Sequence, residues 1–152
     1  MSVPEELART VRMRSGGRCQ YCLMHESLQG ATFHIEHVIP CRNGGRSDLE
    51  NLVLSCPGCN LHKAARILVV DPSTGEKVRL FHPGLQLWSE HFRLNGYQIE
   101  GLNAVGRATV EALRSTEPER PSSPAHPGSR GSVWPLPASS LNVFRATGNS
   151  PR

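Results

Sequence analysis

The chain has no long apolar run. Ile67-Leu68-Val69-Val70 is the longest purely aliphatic stretch, far short of the roughly 20 residues a bilayer-crossing helix needs. No helical membrane span is expected, and the opening Met1-Ser2-Val3-Pro4-Glu5-Glu6 carries no apolar signal core. The expectation is a soluble, cytoplasmic protein. Aromatic residues are scarce at 5%, and all hydrophobic types together reach only 38%, below the usual apolar share. Either the core is thin or part of the chain adds nothing to it, so something besides burial should hold the fold. There is no internal repeat. No helix-turn-helix or zinc-finger array is recognisable, so no target-reading module is identified. Charge of one sign is also lacking in excess: 17 Lys and Arg against 13 Asp and Glu leave +4, which favours polyanionic partners without proving one.

The 152 residues suit one domain. From Thr116 to Arg152, prolines alternate with Ser and Gly and no apolar period survives, so residues 116–152 are expected to be a disordered tail after a folded unit at 1–115. Trp134 and Phe144 could give this tail a short protein-binding segment; a plain linker is the alternative. Ahead of it, Ser2 and Glu5 read as a capping box with Pro4 in the first helical position, opening a short basic helix to Arg14 that Gly16-Gly17 stops. Residues 67–71 and 77–81 flank Pro72-Ser73-Thr74-Gly75 as a hairpin. Residues 85–94 and 103–113 have helical apolar spacing around a short strand at 97–99.

Cysteine, in contrast, is plentiful. With no export signal the five thiols are expected in a reducing compartment, where paired cysteines read as metal ligands rather than disulfides. Cys19-x-x-Cys22 and Cys56-x-x-Cys59 are two knuckles, and four thiolates in tetrahedral geometry select zinc. All four positions being taken by sulfur, this ion is a structural staple, and its binding energy replaces missing core. Cys41 has no partner and reads as a loop residue. Between the knuckles, Phe33 to Ile39 alternates as a strand, with His34, Glu36 and Val38 on one face. A glycine loop follows, then Leu52 to Ser55 as a second strand, then a helix from the second knuckle through Asn60, Lys63 and Arg66.

This order of residues, C-x-x-C, Glu36-His37-x-x-Pro40, Gly44-Gly45, Asn51-Leu52 and Cys56-x-x-Cys59-Asn60-x-x-Lys63, resembles the HNH endonuclease family from Cys19 to Arg66. The resemblance implies an α+β fold: a ββα-metal finger stapled by the four-cysteine zinc site, with flanking helices and a small hairpin. It implies hydrolysis of DNA phosphodiester bonds. His37 would be the general base that activates water, a role its ordinary pKa near 6.5 suits. Glu36 and Asn60 would hold one divalent cation, Mg²⁺ or Mn²⁺ by their hard oxygens, at the leaving 3′-oxygen. Family members more often carry aspartate and histidine at these two positions. Asn51 matches the central asparagine and would fix the loop that orients the base. His34 and His62 are further candidates for the metal shell, against a reading as ordinary strand and helix histidines. Lys63, Arg66, Arg42 and Arg46 are candidate phosphate contacts, against a reading as solvated charges. The competing function is a non-catalytic, zinc-stapled nucleic-acid-binding module.

Overall fold

A computed structural model of the chain describes residues 2–114; the expected tail lies outside them. Among the described residues, four α-helices, two short 3₁₀ turns and six short strands make a mixed α and β unit whose strands pair as three separate antiparallel two-stranded sheets. No helix of the described residues is long and apolar enough to cross a membrane.

Helix α1 spans Glu5–Ser15. Glu5 and Glu6 lie in its first turn and Arg12 and Arg14 in its last, each sign at the end of the helix dipole that favours it. Gly16, at φ +58°, closes it with a left-handed cap. The expected capping box does not form. Pro4 itself is the cap residue, offers no side-chain acceptor, and leaves Ser2 two positions too early. The helix buries Val11 completely, and its arginines reach sideways. Arg12 donates to the carbonyl of Phe33 at 2.7 Å and Arg14 to those of Leu49 at 2.6 Å and Leu52, so much of the expected basic surface is spent on holding the domain together.

Strand β1 (His34–His37) pairs antiparallel with β2 (Leu52–Ser55), His37 facing Leu52 and Glu36 facing Val53. Strand β2 is buried along its whole length, which is why Leu52-Val53-Leu54 reads as a continuous apolar run. Helix α2 (Pro57–Lys63) follows at once, with Cys56 as its cap residue and Pro57 in its first turn. It is shorter than expected: Ala64 turns to φ +48°, and Arg66 lies beyond the end.

Strands β3 (Leu68–Val70) and β4 (Lys77–Arg79) form the expected hairpin. Asp71 organises its turn, accepting from the Ser73 amide and the Thr74 hydroxyl, both at 3.1 Å. Residues 85–94 are not one helix. Helix α3 is a single turn, Trp88–His91, and the chain then extends as β5 (Phe92–Asn95), paired with β6 (Gln98–Gly101) across Gly96. An isolated strand at 97–99 would have left its backbone groups unpaired, and Leu94 beside Ile99 supplies the partner. Helix α4 (Ala104–Arg114) opens on Asn103, whose side-chain oxygen accepts from the Gly106 amide at 2.9 Å. Phe81, Trp88 and Phe92 pack as one aromatic cluster in the core, Phe81 edge-on to Phe92.

Candidate metal centre and active site

The first knuckle is a tight hairpin after α1: the Cys19 amide donates to the Met24 carbonyl at 2.9 Å and the Leu23 amide to that of Cys19 at 2.8 Å. Gln20 zips it to β2 from both its backbone and its side chain. Its amide donates to the Leu54 carbonyl and its Oε1 accepts from the Leu54 amide, each at 2.9 Å. Trp88 Nε1 donates to the Tyr21 carbonyl at 2.9 Å. These bonds carry Cys19 and Cys22 to the β2–α2 junction, where Cys56 and Cys59 sit. The four Sγ atoms lie within 4.8 Å of one another, and Cys22 and Cys56 are 3.8 Å apart. A tetrahedron with Zn–S bonds of about 2.3 Å has edges of roughly 3.8 Å, so the cluster fits zinc. The Cys59 amide donates to Cys56 Sγ at 3.4 Å, a donor aimed at the thiolate of the second knuckle. Cys41 is exposed and outside the cluster.

The end of β1 places Glu36 and His37 side by side with opposite surroundings. His37 is half-buried, and its Nε2 lies 2.8 Å from Ser47 Oγ. Burial, aided by the Lys63 charge, lowers its pKa from the ordinary value, which keeps the ring neutral at pH 7. The loop carrying Ser47 is held by Asn51. Asn51 Oδ1 accepts from the Ile39 amide at 2.8 Å, and its Nδ2 donates to the carbonyls of Ile39 and Arg46 at 2.9 Å. Gly45 allows this approach, since a Cβ there would lie 1.7 Å from the Ile39 oxygen.

Glu36 points inward and is only 9% exposed. Burial pushes its pKa up to about 7, opposed by the pull of Lys63. Its Oε2 is 3.8 Å from Lys63 Nζ, while Oε1 is buried with no hydrogen-bond partner. Lys63 is 1% exposed and donates to the His37 carbonyl at 3.2 Å. One residue of α2 thereby ties down both members of the Glu36-His37 pair. Asn60 is half-buried one turn earlier on the same helical face. The Glu36 carboxylate and the Asn60 amide both offer hard oxygen donors, the kind that divalent cations such as Mg²⁺ take.

Several expected site residues go elsewhere. Lys63 is no phosphate contact, because its ammonium is sealed inside the domain. His62 is buried, its Nδ1 donating to the Leu113 carbonyl on α4 while its Nε2 has no hydrogen-bond partner. Arg66 caps helix ends, giving NH2 to the carbonyls of His62 and, at 2.8 Å, Ala112. His34 shares the Glu36 face of β1 but is exposed. Arg42 and Arg46 are exposed on the glycine loop, Arg46 3.7 Å from Asp48. Ser47 was not legible as a site residue, since a serine ten positions after a histidine has no signature.

No curated protein and no solved structure matches the chain. The stretch that holds both knuckles, the Glu36-His37 pair, Asn51 and Asn60, residues 19–66, matches the family model described as HNH endonuclease.

Proposed function

We propose that the protein is a metal-dependent endonuclease that hydrolyses DNA phosphodiester bonds, with β1, β2 and α2 forming a ββα-metal unit stapled by zinc. The observation that carries this reading is the Glu36-His37 pair. A neutral imidazole and a buried carboxylate with a spare oxygen sit on consecutive residues, both fastened to α2 by Lys63. In the tautomer in which His37 Nε2–H donates to Ser47 Oγ, 2.8 Å away, the Nδ1 lone pair is left to take a proton from the attacking water. Asn51 fixes the loop that carries Ser47 and so the plane of the imidazole. Glu36 and Asn60 would hold Mg²⁺ or Mn²⁺, which when bound supplies positive charge at the leaving 3′-oxygen. The products are a 5′-phosphate and a 3′-hydroxyl. Arg42 and Arg46, exposed beside the base, would meet backbone phosphates. Cys19, Cys22, Cys56 and Cys59 hold Zn²⁺ away from the chemistry, in keeping with a reducing, cytoplasmic setting. The nuclease unit is residues 1–115, with 116–152 a linker or protein-docking tail.

Plasmid nicking by the full chain in Mg²⁺, Mn²⁺ or EDTA tests the proposal. Scission is expected with either cation and not with EDTA, and His37→Ala should abolish it while zinc content and folding persist. Undiminished cutting by that variant overturns the assignment of the base. Salt-sensitive binding without scission in any cation would instead establish the non-catalytic module.

A further inference from the structure

Strand β2 is buried along its whole length, yet β1 is the one strand that pairs with it. The carbonyls on its outer edge therefore need partners other than water. Gln20 serves Leu54, and Arg14, on α1, serves Leu52. Arg14 does more than complete the edge. While NH2 donates to the Leu52 carbonyl, NH1 donates to the Leu49 carbonyl at 2.6 Å, so one planar fork spans the two residues that bracket Glu50 and Asn51. Inside the bracket, the Glu50 carbonyl is closed in by Gly84, where a Cβ would lie 1.8 Å from the oxygen. The bracketed chain is a tight turn, Asn51 and Leu52 giving their amides to the Asp48 carbonyl at 3.1 and 3.0 Å. From this turn Asn51 reaches Ile39 and Arg46, and Leu52 is the residue that faces His37 across the strand pair. Arg14 Nε is buried with no partner, so the guanidinium is oriented for its two carbonyls rather than for its own full satisfaction.

We propose that Arg14 is a positioning residue for the general base: by fixing the Leu49 and Leu52 carbonyls it sets the turn from which Asn51 holds the loop of Ser47, and so the place of the His37 ring. The inference rests on the reading of His37 as the base. Arg14 acts through the turn, not by contact with the reacting atoms. It lies on α1, ahead of the stretch 19–66 that matches the nuclease family, so the helix serves the active site from outside that stretch. An ammonium could reach either carbonyl, but the guanidinium presents two donors at a fixed spacing. Lysine at this position keeps the charge and the helix while freeing the turn to shift. A catalytic group displaced by about 1 Å can lose about 100-fold in rate; at one remove from the base, the expected loss is about tenfold.

Nicking kinetics of the zinc-loaded full chain in Mg²⁺ test this, at a temperature where each variant is still folded. Arg14→Lys should lower kcat about tenfold and leave KM unchanged. An unchanged kcat overturns the proposal, and so does a loss confined to KM, which would make Arg14 a substrate contact. Added to Asn51→Ala, the same substitution should cost nothing further, because both act through one turn. A further loss of about tenfold in the double variant would show an independent effect and overturn the proposal. His37→Ala, run alongside, separates the two claims. If it abolishes nicking while Arg14→Lys does nothing, only the role of Arg14 falls; if it leaves nicking intact, the reading of the base falls and that of Arg14 with it. Hydrogen exchange gives a readout without DNA. In Arg14→Lys the Ile39 amide, bonded to Asn51 Oδ1, should exchange about tenfold faster while the Leu54 amide, bonded to Gln20, keeps its rate. Equal acceleration of both amides would mean a general loss of stability and overturn the proposal, as would no acceleration of either.

Discussion

Asn51 and Ile39 exchange a reciprocal pair of hydrogen bonds, the amide of Ile39 to Oδ1 and Nδ2 to the carbonyl of Ile39. One side chain thus acts as an extra rung on the β1–β2 ladder, just past the point where His37 and Leu52 end the strands. The same Nδ2 reaches Arg46, next to Ser47, so the rung and the hydrogen-bond partner of His37 belong to one turn.

Replacing Asn51 by alanine removes three hydrogen bonds from a buried position. At about 0.5–1.5 kcal/mol each, the loss of stability should be roughly 2–4 kcal/mol, read as a lower urea midpoint at constant slope. Nicking should fall further than folding does, by about 100-fold at a temperature where the variant is still folded, because a displaced base loses its line to the water. Asn51→Asp keeps the acceptor for Ile39 but turns a carboxylate oxygen towards two carbonyls, and should not rescue cleavage. Full activity in a folded Asn51→Ala protein would remove this residue from the mechanism.

Removing zinc should unfold the domain rather than loosen it. A structural zinc site contributes about 10–16 kcal/mol of apparent binding energy, against about 5–15 kcal/mol for the whole stability of an ordinary domain. The knuckle also organises its surroundings: without it the Gln20–Leu54 zipper and the Trp88–Tyr21 bond lose their anchor. A chelator strong enough to strip the thiolates should release one zinc per chain and abolish the protected amides of Gln20 and Leu54 in hydrogen exchange. An unaltered, cooperative thermal transition after complete zinc removal would show that the core suffices alone.

What the sequence made legible follows from how local each signal is. The two C-x-x-C pairs, the order strand, glycine loop, strand, helix, and the turn at Pro72-Ser73-Thr74-Gly75 are carried by residues close together in the chain. Residues 85–94 misled because Leu85, Trp88 and Phe92 keep helical spacing while only the latter two are buried, and the gain from pairing with β6 outweighs weak helical propensity. The fate of the basic residues was hidden for another reason. Lys63 and Arg66 look like solvated helix charges until the carbonyls they serve, on His37 and on α4, are brought to them by contacts distant in sequence. Asp71 likewise reads as a turn residue, and nothing local announces the arginine that finds it.

That arginine supplies the clearest pH dependence. Arg107 on α4 grips Asp71 with Nε at 3.0 Å and NH2 at 2.7 Å, and the Asp71 side chain is wholly buried. The bidentate contact, helped by the Ser73 amide and the Thr74 hydroxyl, lowers the Asp71 pKa to about 2. A carboxyl that is more acidic when folded stabilises the fold in its ionised form. Its contribution is therefore complete above the ordinary aspartate value of about 3.9, and it is lost as pH falls from there towards about 2. Asp71→Asn removes the charge and keeps the shape, so the variant should be less stable than the wild type at neutral pH. The gap between the two urea midpoints should stay constant from pH 7 to about 5 and narrow as pH approaches 4 and below. Taking the difference cancels acid effects common to both proteins, and the series is followed downward as far as zinc stays bound. A gap that widens on acidification, or equal midpoints at pH 7, would mean that the Asp71–Arg107 pair does not hold the hairpin to α4.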